Sequence, residues 1–485
     1  MDKKVKILLM GDSITEGDGN PSAYRFQFVK NLFRAGAIFQ MIGPKTGWDC
    51  RLSDTYIRHG ATCGHIIGSE ALEKNSLRYN LTQEPFQAAV KEADILCLWI
   101  GFNDHYRKLN EGVEARYLKL LDCLYELNPT LSVYCSTLWH EESPLNPFLR
   151  SFDTEEYARK YGRKLTVTEV CKSEYMPVHG TDDFPEDDGH PTEKGNIKVG
   201  KMWADAVLAE VLARNAKGTG EDDRVRVTGI QTDMKKTLTL RPNEGVTVHA
   251  SVLPENAEMH TVLYSSSNPA VLSVGDYGKA IAHKEGTAVL RAESLDGAFY
   301  EETLVTVAGA PLSYGEGLCE ILSEDFTDES RWEGSTEKLA PAYRKLAFRW
   351  NGEPKGTLTH KKELAFGDTV YFEFTYWTAN DSTRSRERYF SITVGGVELR
   401  ISGGAKYASL YENGMLLAEE EALPAVFTKA AYAVLHAKDK VMLYCNNELV
   451  AEASVACPPA SGHVEINFDK LTHKTYVSNL TVKTK

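Results

Sequence analysis

The sequence predicts a multidomain chain, with an α/β domain first and two all-β sandwich domains after it. Three observations carry that expectation. Apolar strand-like runs alternate with helical patterns up to about residue 216, and the pattern then changes to period-two alternation. A polar, glycine-bearing stretch at 216–224 separates the two regimes and reads as a linker. The length of 485 residues is too great for one ordinary domain and suggests about three.

In the first segment the apolar runs are 5–10, 38–42, 95–100 and 131–138. Helical stretches lie between them at 23–34, 85–93 and 113–127. A last helix is expected over 192–215, because Pro191 precedes it and proline favours a first helical turn. Alternating β and α units imply a parallel sheet with right-handed crossovers and helices on both faces. Strands buried on both sides are near-continuously apolar, as these runs are.

Beyond the linker, Leu238 and Leu240 alternate with threonines, and Val246, Val248, Ala250 and Val252 alternate with polar or small residues. Turn signals recur at Pro254, Asn268-Pro269, Gly278, Gly286 and Asp296-Gly297, a spacing that fits a β-sandwich. A second boundary falls near 309–317. After it Val370, Phe372, Phe374 and Tyr376 alternate, then Phe390, Ile392 and Val394. Asn446-Asn447 between two apolar runs reads as a hairpin turn, since asparagine tolerates the left-handed conformation. The expected domains are therefore 1–218, 219–310 and 311–485.

Composition narrows the function classes. Hydrophobic content of 42% and charged content of 25% are those of a globular protein. A net charge of -13 argues against nucleic acid as a partner, because phosphate binding needs basic patches. No apolar run approaches the ~20 residues of a membrane-spanning helix. The N-terminus reads as a core strand and not as a signal peptide. Nine cysteines occur without a Cys-x-x-Cys pair, so no metal site is expected from them. They read mostly as buried thiols, with Cys50 and Cys63 close enough in sequence to be a candidate pair.

Four short elements carry chemistry: Gly11-Asp12-Ser13, Gly60-Ala61-Thr62-Cys63-Gly64, Gly101-Phe102-Asn103-Asp104 and Asp187-Asp188-Gly189-His190-Pro191. Three of them sit at strand ends or a helix start, which converge on one edge of a parallel sheet. Each alone is a common turn or helix cap; their co-occurrence points to acyl transfer. Ser13 is the candidate nucleophile and needs a base in reach to take its proton. His190 is that base, since free imidazole titrates near neutrality. Asp187, three residues before it, would fix the tautomer and stabilise the imidazolium; Asp188 competes more weakly. The N–H of Ser13, an N–H of Gly64 and the Asn103 amide are candidate oxyanion donors. Trp139 and His140, after the fourth strand, and His65 are candidate substrate-lining residues, with core packing the alternative for Trp139. His59 flanks the second element in the same way. Asp104 reads as an acceptor that holds its own loop.

The four elements resemble blocks I, II, III and V of the SGNH (GDSL-like) hydrolases. Met10-Gly11-Asp12-Ser13-Ile14-Thr15-Glu16-Gly17 is a close match, and Ala23-Tyr24-Arg25 through Phe39 to Pro44 resembles the acetylxylan-esterase branch. The resemblance covers about residues 5–214. It implies a three-layer α/β/α fold and an ester hydrolase that needs no cofactor, with Ser13, Asp187 and His190 in the catalytic positions. The second block departs from the pattern, since Gly60 and Gly64 stand four apart. Gly64 is preferred as the oxyanion glycine and Gly60 is the fallback.

Residues 225–308 resemble a group 2 bacterial Ig-like domain, through Val227-Thr228-Gly229-Ile230, Val252 to Ala257, Tyr264 to Asn268 and Lys284 to Ala288. Residues 318–485 resemble a concanavalin A-like sandwich, through Glu324-Asp325-Phe326-Thr327-Asp328, Trp332 and the Asn446-Asn447 strand pair. Trp350, Trp377 and several tyrosines there are candidates for stacking on sugar rings, with core packing as the alternative. The expected function is a serine esterase removing O-acetyl groups from a polysaccharide or oligosaccharide, with no cofactor, no metal and no nucleic-acid partner. A lipid or small-ester hydrolase, or a glycan-binding protein with an inactive hydrolase domain, are the alternatives. Domain content points to a secreted or cell-surface protein, the N-terminus to a cytoplasmic one. Oligomeric state is not legible.

Overall fold

The computed structural model describes residues 4–17, 23–47, 51–162, 164–184, 190–218, 222, 224–275, 278–310, 315, 317–348, 354–378, 387–402, 407–420, 430–471 and 475–485. Asp187, Asp188, Cys50 and Trp350 lie outside these residues. The chain divides into two compact units. The first is Met1–Gly229 with Val252–Thr261 and Ser294–Phe299; the second is Ile230–Ser251, Val262–Glu293 and Tyr300–Lys485.

The first unit is α/β. Its elements are β1 (Val5–Gly11), α1 (Ser13–Glu16), α2 (Arg25–Arg34), β2 (Phe39–Ile42), β3 (Lys45–Thr46), β4 (Arg58–His59), α3 (Leu77–Asn80) and α4 (Glu84–Glu92). There follow β5 (Ile95–Trp99), α5 (Phe102–Tyr106), α6 (Val113–Leu127), β6 (Ser132–Ser136), α7 (Leu145–Ser151), α8 (Thr154–Tyr161), β7 (Leu165–Thr168) and α9 (Glu193–Lys217). The main sheet has the order β2-β1-β5-β6-β7, and every neighbouring pair is parallel. All residues of β5 and β6 are buried, which explains the continuous apolar sequence of β5; β6 buries a serine at each end of an apolar centre. The edge strand β7 is Leu-Thr-Val-Thr and only its first residue is buried. That mixed composition hid it from the sequence reading, as the shortness of α1, α5 and α7 hid them.

Strand order fixes where a site forms. Counted along the chain, the sheet strands run 2-1-3-4-5 in space, so the chain reverses direction of travel between β1 and β5. In open parallel sheets the crevice beyond the carboxyl ends at such a switch point is where ligands bind. Gly11-Asp12-Ser13 ends β1 and Gly101-Phe102-Asn103 follows β5, so both lie at this switch point.

Helices α2 and α9 pack together beside β1. Tyr24, just before α2, stacks on Trp203 of α9 and meets Trp99 of β5 edge-on. The Asn215 side chain closes the far end, accepting from the Ile38 N–H and donating to the Ile38 carbonyl. Among the described residues no helix is long and apolar enough to cross a membrane.

Two segments of the expected middle domain belong to this first unit. The Glu258 N–H donates to the Val225 carbonyl at 2.9 Å, and Thr261 Oγ1 donates to the Arg51 carbonyl. Arg34 Nε donates to the Leu295 carbonyl at 3.1 Å.

The second unit is all β. A three-stranded sheet (Gly245–Thr247, Lys279–Ala282, Leu272–Val274) and a four-stranded one (Val262–Ser266, Gly286–Ser294, Tyr300–Val307, Thr237–Leu240) share one core, with Val248, Leu272, Ala280, Leu290 and Val305 among its buried residues. An eight-stranded and a seven-stranded sheet enclose a larger core. Val370, Phe372 and Phe374 enter it from one sheet, and Phe390, Ile392, Ile401 and Phe468 from the other. The alternate residues of each strand face outward, which is the period-two pattern. Asn446 and Asn447 both have positive φ between the antiparallel strands Lys440–Cys445 and Glu448–Ser454.

The α2–α9 contact depends on a glycine. A Cβ on Gly200 would lie 2.5 Å from Gln27 Cβ and 2.7 Å from the Tyr24 carbonyl oxygen. Helix propensity favours Gly200→Ala by about 1 kcal/mol, whereas overpacking a close contact costs about 1–3 kcal/mol. The contact is to backbone, so the clash wins. Urea unfolding is expected to show Gly200→Ala as destabilised; a stabilised variant contradicts the close approach.

Candidate active site

The turn from β1 into α1 positions the serine. The Asp12 carboxylate caps α1, with Oδ1 accepting from the Ile14 N–H at 3.1 Å. Ser13 is therefore the first helical residue, and only 8% of its surface is exposed. The far end of this short helix is braced by Arg25, itself buried. Arg25 donates to three carbonyls, Thr15 at 3.0 Å, Glu16 at 2.9 Å and Ile57 at 3.0 Å. Thr15 Oγ1 and the Tyr24 hydroxyl add a further hydrogen bond at 3.1 Å.

His190 Nε2 lies 2.8 Å from Ser13 Oγ. The two are 177 positions apart in sequence and meet because His190 stands just before α9, which packs beside β1. Thr192 caps α9 through the Gly195 N–H. At this distance the serine hydroxyl and the imidazole nitrogen share a hydrogen bond.

The second loop is tied to the same strand. The Gly60 N–H donates to the Leu9 carbonyl at 2.8 Å, and the Thr62 N–H to the Gly11 carbonyl at 3.1 Å. The Gly60 amide is thus committed within the fold, whereas the Gly64 N–H makes no hydrogen bond among the described residues. The Gly64 carbonyl accepts from Arg107 Nη2 at 2.7 Å. Asn103, on α5, donates one amide hydrogen to the His65 carbonyl at 3.0 Å, which leaves its second hydrogen for another acceptor. Asp104 joins the loops: Oδ2 accepts from the Ile67 N–H at 2.9 Å and Oδ1 from Arg116 Nη2 at 3.2 Å. It holds its loop, as expected.

Three of the expected lining residues are placed differently from the sequence expectation. Trp139 is 2% exposed and packs on Trp99, Phe102 and Phe184, so it is a core residue. The apolar run before it simply continues into the core. His65 is buried, with Nε2 3.3 Å from Asn80 Oδ1 and Nδ1 3.4 Å from the Cys63 carbonyl; both ring nitrogens serve the loop. His59 is also buried and its Nδ1 accepts from the Ala61 N–H. Burial lowers the pKa of both rings. His140 alone of these is partly exposed, in a stack with His105 at 5.0 Å between centroids. Burial, with His105 beside it, pushes its pKa down to about 4.

Sequence reasoning missed the electrostatic weight of Asp12. It is fully buried, and its Oδ2 has no hydrogen-bond partner among the described residues. Burial raises its pKa to about 7, against the Ile14 N–H, His190 and the Asn103 amide, which lower it; Asp104 nearby adds to the rise. Burial likewise raises Asp104 itself.

No protein-family model matches the chain. It is similar to a multidomain esterase of Ruminococcus flavefaciens, 26% identical over an alignment of 227 residues that covers 42% of this chain and 28% of that one. The match thus spans little more than a quarter of that curated relative. Among solved structures, a family 3 carbohydrate esterase of Clostridium thermocellum is 21% identical, with a TM-score of 0.34 over 43% of this chain and 98% of that one. A carbohydrate esterase family 3 protein from Talaromyces cellulolyticus is 18% identical, with a TM-score of 0.33 over 43% of this chain and 99% of that one.

The raised pKa of Asp12 has a definite sign. A carboxyl whose folded-state pKa lies above its unfolded value near 4 stabilises most at low pH, and that contribution is lost as pH rises through about 7. Asp12→Asn keeps a good cap and cannot ionise. Relative to the parent, its unfolding free energy in urea is expected to improve between pH 5 and pH 8. A pH-independent difference between the two would contradict the burial of an ionisable Asp12.

Proposed function

We propose that the first unit is a carboxylic ester hydrolase that uses Ser13 as nucleophile, His190 as base and Asp187 as the group that orients His190. The observation that carries this reading is the 2.8 Å contact between His190 Nε2 and Ser13 Oγ. The similarity to a multidomain esterase supports it. So does the position of both Ser13 and Asn103 at the switch point of the sheet.

In this reading Ser13 Oγ attacks the ester carbonyl carbon while His190 Nε2 takes its proton. The carbonyl oxygen becomes an oxyanion, which the Ser13 and Gly64 N–H groups and the Asn103 amide stabilise. The committed Gly60 amide favours Gly64 for that role. Collapse breaks the C–O bond, and His190 returns the proton to the leaving alcohol oxygen. Water then attacks the acyl-serine by the same route, its proton passing to His190 and on to Ser13 Oγ as the acid leaves. No cofactor enters this reaction.

The substrate reading is an O-acetyl group on a polysaccharide or oligosaccharide. It rests on the resemblance of residues 23–44 to the acetylxylan-esterase branch. The finer fold reading accompanies it: a three-layer α/β/α hydrolase domain over 1–218, an Ig-like spacer over 219–310 and a concanavalin A-like sandwich over 311–485 that holds glycan. A secreted or cell-surface location fits such an assembly.

The chain is expected to hydrolyse a small aryl acetate, with Ser13→Ala reducing the rate to background. Asn103→Ala is expected to lower kcat by about 10²–10³-fold, the usual cost of one oxyanion donor. Equal rates for Ser13→Ala and the parent would overturn the esterase reading. Acetate release from acetylated xylans, pectins and sialic acids, compared side by side, identifies the alcohol.

A further inference from the structure

We propose that His105, His140 and Glu142 form a binding site for a divalent transition-metal ion of the zinc class. The residues reach one place because β5 and β6 are neighbours in the sheet. His105 lies on α5, after β5, and His140 and Glu142 lie in the loop after β6. One donor atom from each residue lies within 4.8 Å of the other two.

The spacing fits a metal. His105 Nε2 and Glu142 Oε1 are 3.2 Å apart. Metal–ligand bonds of about 2.0–2.1 Å at tetrahedral angles place neighbouring donors about 3.3 Å apart. From separations of up to 4.8 Å, closing the set takes a relative movement of up to about 1.5 Å, to which the exposed Glu142 side chain contributes.

Burial supplies an independent argument. His105 Nδ1 and His140 Nε2 are both buried, with no hydrogen-bond partner among the described residues. A buried polar nitrogen without a partner costs free energy. Coordination through His140 Nε2 gives that nitrogen a partner; His105 faces Glu142 with Nε2, and its Nδ1 takes no part in coordination. The donor chemistry selects the ion. Two imidazoles and a carboxylate suit zinc, cobalt, nickel or copper, whereas calcium and magnesium take oxygen donors. Three protein donors leave a coordination position open to solvent.

The sequence alone does not display this site, because His105 and His140 are far apart along the chain and neither is part of a metal-ligand motif. The site shares no residue with the Ser13–His190 pair. The proposal therefore stands independently of ester hydrolysis.

The test uses the full chain, freed of metal by a chelator, titrated with zinc alone in a calorimeter at neutral pH. One saturable equivalent is expected. His105→Ala, His140→Ala and Glu142→Gln are each expected to weaken binding at least tenfold. Circular dichroism melting of each variant reports folding; Glu142 is exposed enough that Glu142→Gln leaves the fold intact. Cobalt(II) absorption distinguishes the donors. The site predicts tetrahedral d–d bands without thiolate charge transfer, whereas binding at the exposed Cys63, Cys319 or Cys457 gives that charge transfer. Absence of saturable zinc binding, binding unchanged in Glu142→Gln and His140→Ala, or a thiolate spectrum would each overturn the proposal.

Discussion

The site in the first unit depends on the close approach of β1 to β5 at Gly11. A Cβ on Gly11 would stand 2.2 Å from the Trp99 carbonyl oxygen and 2.5 Å from Thr15 Oγ1. No other residue fits there without moving backbone. Because glycine does fit, α1 starts at the very end of the strand and Ser13 becomes its first residue. The same strand end accepts the second loop through the Gly11 and Leu9 carbonyls. Asp104 then joins that loop to the segment after β5 through the Ile67 N–H. Ser13, the second loop and Asn103 are thus hung from one strand end, and α9 brings His190 to it.

This arrangement places several polar groups in a low-dielectric setting. Asp12 and Asp104 are both buried carboxyls, and burial raises both. Arg25 and Arg116 offset part of the cost by donating to carbonyls and to Asp104. Such local expense at a strand end is what a functional site imposes on a fold otherwise built for burial. The stacked histidines nearby follow the same logic, since burial also keeps His140 in its neutral form.

Much of this was legible in the sequence for physical reasons. The buried strand β5 is apolar throughout and β1 is apolar apart from Lys6, and α9 announces itself by Pro191 and its length. Ser13, Asn103 and His190 stand out in the sequence because strand ends and helix starts have recognisable turn residues. The remainder lay in contacts that sequence order does not encode. The use of the Gly60 amide by Leu9, the burial of Trp139 and the loop role of His65 depend on which side of a loop faces the strand. The β7 edge strand is half polar, because one side of it meets solvent. The segments 252–261 and 294–299 look like ordinary turns of a sandwich, yet Thr261 and Leu295 bond to the first unit.

The central claim is that Ser13 is a base-activated nucleophile, and covalent trapping tests it most directly. A fluorophosphonate reacts irreversibly with an activated serine and leaves its neighbours untouched. Mass spectrometry of the digested full chain should find one phosphonyl group per chain, on the peptide containing Ser13, with labelling strongly slowed in His190→Ala. Labelling at a different serine, or equal labelling rates in the parent and His190→Ala, would contradict the account.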